Sequence, residues 1–195
     1  MNLNILSLIA MMGIASVGYA QSTYKIKKTK DVDVVLQGTS TLHDWHMDAK
    51  DASGDAQFVF KPGSKTELVS VKSLTFSVKA EDLKSDSKGL DKNAYKALKT
   101  DKYKEISYAL TSSTLTPEAK GYLLKSVGKL IIAGVTKDVS LDVHCVPNSD
   151  GTVTCYGTYK LNMTDYKVVP PTFFFGAMTT GDSVTLIIAA VYTQH

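Results

Sequence analysis

The chain has 195 residues, with 22 basic and 19 acidic side chains and a net charge of +3. That length suits one domain with a real core and is too short for two comfortable ones. The lysines are scattered, with no clustered basic face, which argues against nucleic acid as a partner.

The first element is an apolar run, Ile5 to Val17, of signal-peptide length and too short to span a bilayer comfortably. Gly18 and Ala20 place small residues three and one before a cut at Ala20/Gln21. Residues 1–20 therefore read as an export signal, and 21–195 as the mature domain. No cysteine follows the run to take a lipid anchor, and no later segment is long and apolar enough to span a membrane. A soluble protein of the periplasm or the medium is expected.

The mature chain reads mostly as strands: Tyr24–Lys28, Val32–Gln37, Trp45–Lys50, Ala56–Phe60, 69–80, Ile106–Thr111, Tyr122–Ala133, 137–145, 152–163 and Ser183–Thr193. The stretch 69–80 alternates Leu74, Phe76, Val78 and Ala80 against Thr75, Ser77 and Lys79. Such a period of two means one buried and one wet face. One segment departs from it. "GLDKNAYKALKTDKY" spaces Leu90, Ala94 and Leu98 four apart, which predicts a short amphipathic helix with Asp91 as its N-cap. Short strands, many turns and one helix indicate a mainly β fold, an antiparallel sandwich or a closed barrel.

Cys145 and Cys155 flank "VPNSDGTVT", whose Asn148-Ser149-Asp150-Gly151 is a turn signal. A hairpin centred near Asp150 sets the two cysteines opposite each other. It also sets Val143 against Gly157, Leu141 against Tyr159 and Val139 against Leu161, all on one face. In an exported chain this favours a local disulfide staple over two buried thiols.

"GTSTLHDWHMDAK" sets His43, Asp44 and His46 around the only tryptophan, Trp45. Neighbouring side chains on a strand point to opposite faces, so His43 and Asp44 do not make a triad by adjacency. His43 and His46 suit a helix, and their flanks read as strand and turn. His144 has no reason in the sequence to join them. No catalytic or metal site is expected. Ser40, Thr41, His43 and Asp44 read instead as a polar corner that ties down backbone groups before Trp45 enters the core.

Four stretches, "GTSTLHDW", "GLDKNAYKALKTDKYKEISYAL", "GKLIIAGVTKDVSLDV" and "LNMTDYKVVPPTFFFGAMTTGDSVTLIIAAV", resemble in that order the YceI-like family. The resemblance implies a lipocalin-like antiparallel barrel of about eight strands with a short helix, in exported bacterial proteins. It also implies a long polyisoprenoid or similar apolar lipid, such as an isoprenoid quinone or prenyl phosphate, inside the barrel, with no catalysis and no other cofactor. The residues expected to line that space are Trp45, Met47, Phe58, Phe60, Phe76, Tyr108, Leu141, Tyr159, Leu161 and Phe174, with His43 and Asp44 pinning the corner that orients Trp45. Val168–Met178 is a candidate lid or plug, and the cysteines lie outside the family pattern. An eight-stranded barrel can hold one ligand or be filled by its own side chains. A filled barrel acting as an envelope interaction or stress-response module is the alternative, and a homodimer stays open.

Overall fold

Alternating apolar and polar residues generate long antiparallel strands. The computed structural model describes residues 21–27, 33–49, 51–173 and 176–195. The expected export signal and Phe174 lie outside them. The strands are β1 (Gln21–Ile26), β2 (Asp33–Ser40), β3 (Trp45–Ala49), β4 (Ala52–Ser53), β5 (Asp55–Phe60), β6 (Leu68–Lys79), β7 (Leu83–Lys84), β8 (Glu105–Pro117), β9 (Tyr122–Ile132), β10 (Val135–Pro147), β11 (Val153–Asn162), β12 (Thr172–Phe173) and β13 (Met178–Gln194). The helix α1 spans Lys88–Leu98.

Eight strands close a lipocalin-like ring in the order β1-β5-β6-β8-β9-β10-β11-β13 and back to β1. The 17-residue β13 makes this possible. Its C-terminal part pairs with β1 through Tyr24↔Gln194 and Ile26↔Tyr192, while its earlier part pairs with β2 through Leu186↔Leu36. From β2 the sheet runs on to β3 and β7, which widen the barrel at the end carrying α1.

The helix starts one turn earlier than its expected cap. Ser87 is the N-cap and accepts from the Leu90 amide, while Asp91 accepts from the Ser85 amide and hydroxyl at 2.8 and 2.7 Å. A serine with extended backbone angles can turn its oxygen onto the free amides of the first turn. Asp91, inside that turn, fastens the incoming loop instead.

The hairpin register is as expected at its tip, with Cys145↔Cys155 and Val143↔Gly157. There the ladder ends. Leu141 does not pair with Tyr159, nor Val139 with Leu161, because β10 stays with β9 as far as Val135↔Ile132 and β11 stays with β13 as far as Asn162↔Ser183. Two strands bound to different neighbours are drawn apart by the sheet twist. A slit therefore opens in the wall above Gly157. The 3-10 turn at Met163–Tyr166 lies beside it, and Lys137 reaches across to Asp165 at 3.7 Å.

The end of the barrel away from α1 is solid. Tyr24 meets Phe58 edge-on at 5.1 Å, Phe58 meets Tyr192 edge-on at 5.8 Å, and Phe60 stands 6.5 Å from Phe58. The Tyr192 hydroxyl donates to the Thr75 carbonyl at 3.2 Å. Edge-to-face aromatic packing of this kind fills the space, and the bond to Thr75 satisfies the Tyr192 tip.

Candidate ligand cavity

Above that aromatic plug the interior is hollow. The cavity measures about 170 Å³, against roughly 10–15 Å³ needed to seat one water. Tyr192, Ala190 and Cys155 form its floor. One wall is Leu74, Phe76 and Val78 of β6 with Ile106 and Tyr108 of β8. Val184, Leu186 and Ile188 of β13 with Val34 and Leu36 of β2 make another. Leu90, Ala94, Ala97 and Leu98 of α1 cover the wide end, and Met163, Tyr166, Val168 and Pro171 form its rim. At the slit, Leu141 and Val143 face Gly157 and Tyr159, and the exposed Asp142 marks its outer margin.

Of the residues expected to line a tunnel, Trp45, Met47, Phe76, Tyr108, Leu141, Tyr159 and Leu161 do line the cavity. Phe58 and Phe60 do not. They point into the same interior, but at the height of the plug, along the stretch where the pairing of β5 with β6 shifts register at Gln57/Phe58 and Val59/Phe60. The sequence reading passed over Tyr166 and the α1 face. The four-residue spacing of Leu90, Ala94 and Leu98 was a readable signal for α1. Tyr166 sits in a turn with no period to read.

Two glycines seat the large rings. A β-carbon on Gly38 would lie 2.2 Å from the Trp45 indole, which lies over that strand and donates from Nε1 to the Thr39 carbonyl at 3.0 Å. One on Gly128 would lie 2.5 Å from both the Tyr108 ring and the Ala109 carbonyl oxygen. The Tyr108 hydroxyl donates to Ser126, which donates in turn to the Leu141 carbonyl, each at 3.0 Å.

The polar corner is tied by other atoms than expected. The Ser40 hydroxyl donates to the His43 carbonyl at 2.7 Å and accepts from the Leu42 and His43 amides. Thr41 bonds Thr179 through both its amide and its hydroxyl. The His43 and Asp44 side chains are exposed and are not the pins. His144 lies elsewhere, 2.8 Å from Glu118 and stacked on Tyr156. Among the described residues no three His, Cys, Asp or Glu side chains converge.

The electrostatics of the lining are those of a dry site. Burial raises the Tyr108, Tyr159 and Tyr192 phenols above their usual range, and pushes Tyr166 up to about 12. Asp165 adds to the rise at Tyr159 and Tyr166 by repelling a phenolate. The cysteine sulfurs stand 3.5 Å apart as two buried thiols, not the expected disulfide. The hydrogen bond with Cys145, and then burial, hold the Cys155 thiol well above its usual range.

The fold and the hollow define a lipocalin-like barrel with an apolar internal cavity. The chain belongs to the YceI family, whose YceI-like domain model matches residues 27–192. Among solved structures it is similar to BcnA from Burkholderia cenocepacia, at 17% identity and a TM-score of 0.66 over 85% of this chain and 98% of that one. It is also similar to a polyisoprenoid binding domain from Saccharophagus degradans implicated in plant cell wall breakdown, at 8% identity and a TM-score of 0.64 over 90% and 100%. A third likeness is to the Campylobacter jejuni YceI protein, at 22% identity and a TM-score of 0.55 over 76% and 84%. No curated protein matches the sequence.

Proposed function

We propose that this protein is an exported, non-enzymatic carrier that holds a polyisoprenoid or similarly long apolar lipid in its barrel. The observation that carries the reading is the cavity itself, with one end sealed by aromatic side chains and the rest walled by aliphatic and aromatic groups. A prenyl chain gains about 0.8 kcal/mol for each CH₂ it takes out of water. The slit between β10 and β11 offers such a chain a way in. The polyisoprenoid binding named for the Saccharophagus degradans neighbour supports the same ligand class. No helix of the described residues is long and apolar enough to cross a membrane, in keeping with a mobile carrier. Export would place the protein where disulfides form, and there the facing Cys145 and Cys155 are expected to close into a bridge.

Native mass spectrometry of the protein purified from its own cell envelope, followed by organic extraction, tests the function. A co-purifying prenyl lipid is the expected result. A ligand-free mass that persists after incubation with prenyl lipids overturns the carrier reading in favour of an envelope interaction module.

A further inference from the structure

An apolar tube does not by itself choose a headgroup, but its few polar atoms do. The Trp45, Tyr108 and Tyr192 polar tips are each already bonded to the protein. Tyr159 and Tyr166 differ. Both line the cavity, and their hydroxyls have no hydrogen-bond partner among the described residues, although Tyr166 is only 2% exposed. Among the described residues the buried polar side-chain atom left without a partner is the Ser183 hydroxyl, not these phenols, whose oxygens are accessible and free to donate to a bound group. The two lie close in sequence at the wide end, Tyr159 opposite Leu186 on β11 and Tyr166 in the turn that follows.

The charges around them select what can sit there. Among the described residues no Lys or His lines the cavity, and all 22 basic residues of the chain are lysine. The planar, bidentate guanidinium that suits phosphate is absent from the whole sequence. Asp165 lies beside both phenols, and Lys137 faces that carboxylate instead of the cavity. An anion placed here would lose its water, meet no compensating cation among the described residues and stand near a negative charge. Such a group is strongly disfavoured. A carbonyl or hydroxyl needs only a hydrogen bond, and phenols held in their protonated form supply one over the whole physiological range.

We propose that Tyr159 and Tyr166 form a headgroup subsite for an uncharged carbonyl or hydroxyl, so that the barrel selects isoprenoid quinones or free prenols over prenyl phosphates. This rests on the carrier reading and narrows it. The lipid tail would run from this subsite down to the Tyr192 floor.

Quenching of the single tryptophan, which lines the cavity, reads the binding directly. Four ligands of one chain length are titrated: a prenyl quinone, a free prenol, a prenyl monophosphate and the headless hydrocarbon. The proteins are the wild type, Tyr159→Phe, Tyr166→Phe and the double variant. The wild type is expected to bind quinone and prenol at least about 10-fold more tightly than the monophosphate. Each Phe variant should lose about 3–10-fold for the quinone and nothing for the hydrocarbon, whose unchanged binding also shows that the variants fold. A monophosphate bound as tightly as the quinone overturns the proposal, as does a double variant with wild-type quinone affinity. In either case hydrocarbon binding leaves the carrier reading standing. Failure of all four ligands to bind the wild type overturns the carrier reading itself.

Discussion

The Ser40 hydroxyl serves three backbone groups of the corner before Trp45, while the His43 imidazole beside it faces solvent. Replacing Ser40 with Ala should therefore cost about 1 kcal/mol, the usual loss for such a cap, and His43→Ala no more than about 0.5 kcal/mol. Urea denaturation of both variants checks the order, and a larger loss at His43 would return the pin to its side chain. Tyr166 gives a pH signature. Its phenol titrates near 10 when exposed and near 12 when folded, so between those values the unfolded chain has already released the proton that the native state keeps. The stabilising contribution is complete below pH 10 and is lost as pH rises toward 12. Subtracting the stability of Tyr166→Phe from that of the wild type should isolate a fall confined to this window.

At the scale of elements, the β10–β11 hairpin shows how far pattern carries. Its tip was legible because a single register puts Val143, Cys145, Val153 and Cys155 on one face. Oxidation of the facing thiols should remove two hydrogens from the intact mass and raise stability by roughly 2–3 kcal/mol, as a closed loop of that length does. A Cys145→Ser/Cys155→Ser pair should show neither change. The separation of the strands above Gly157 was not legible. It depends on β11 holding β13 and β10 holding β9, partners distant in sequence. The helix was legible from its four-residue spacing, and its cap was misplaced by four residues because Ser87 and Asp91 are both acceptable cap types. Only the course of the loop at Ser85 decides which oxygen meets the free amides.

For the whole molecule, a hollow upper half stands on a solid lower half, and the hollow forgoes the packing that a filled core would gain. A ligand that fills it and binds only the folded state should raise the melting temperature steadily with concentration. The gain is about 2.7 kcal/mol at a hundredfold excess over the dissociation constant. Thermal unfolding against a prenyl quinone measures it, and a melting temperature indifferent to the lipid would argue against the cavity as its site. The sequence by itself determined the long strands, the helix α1, the alternation that separates inward from outward side chains along them and the register at the hairpin tip, but not the short strands β4, β7 and β12. What it determined follows from local periodicity. Alternation distinguishes inside from outside, but it does not give height along the barrel or say whether the inside is filled. Phe58 and Phe76 carry the same inward signal, yet one is sealed in the plug and the other lines the cavity. Only the closure of the ring through β13, the shifts in β5 and the parting of β10 from β11 decided that difference, because each is set by contacts between segments far apart in the chain.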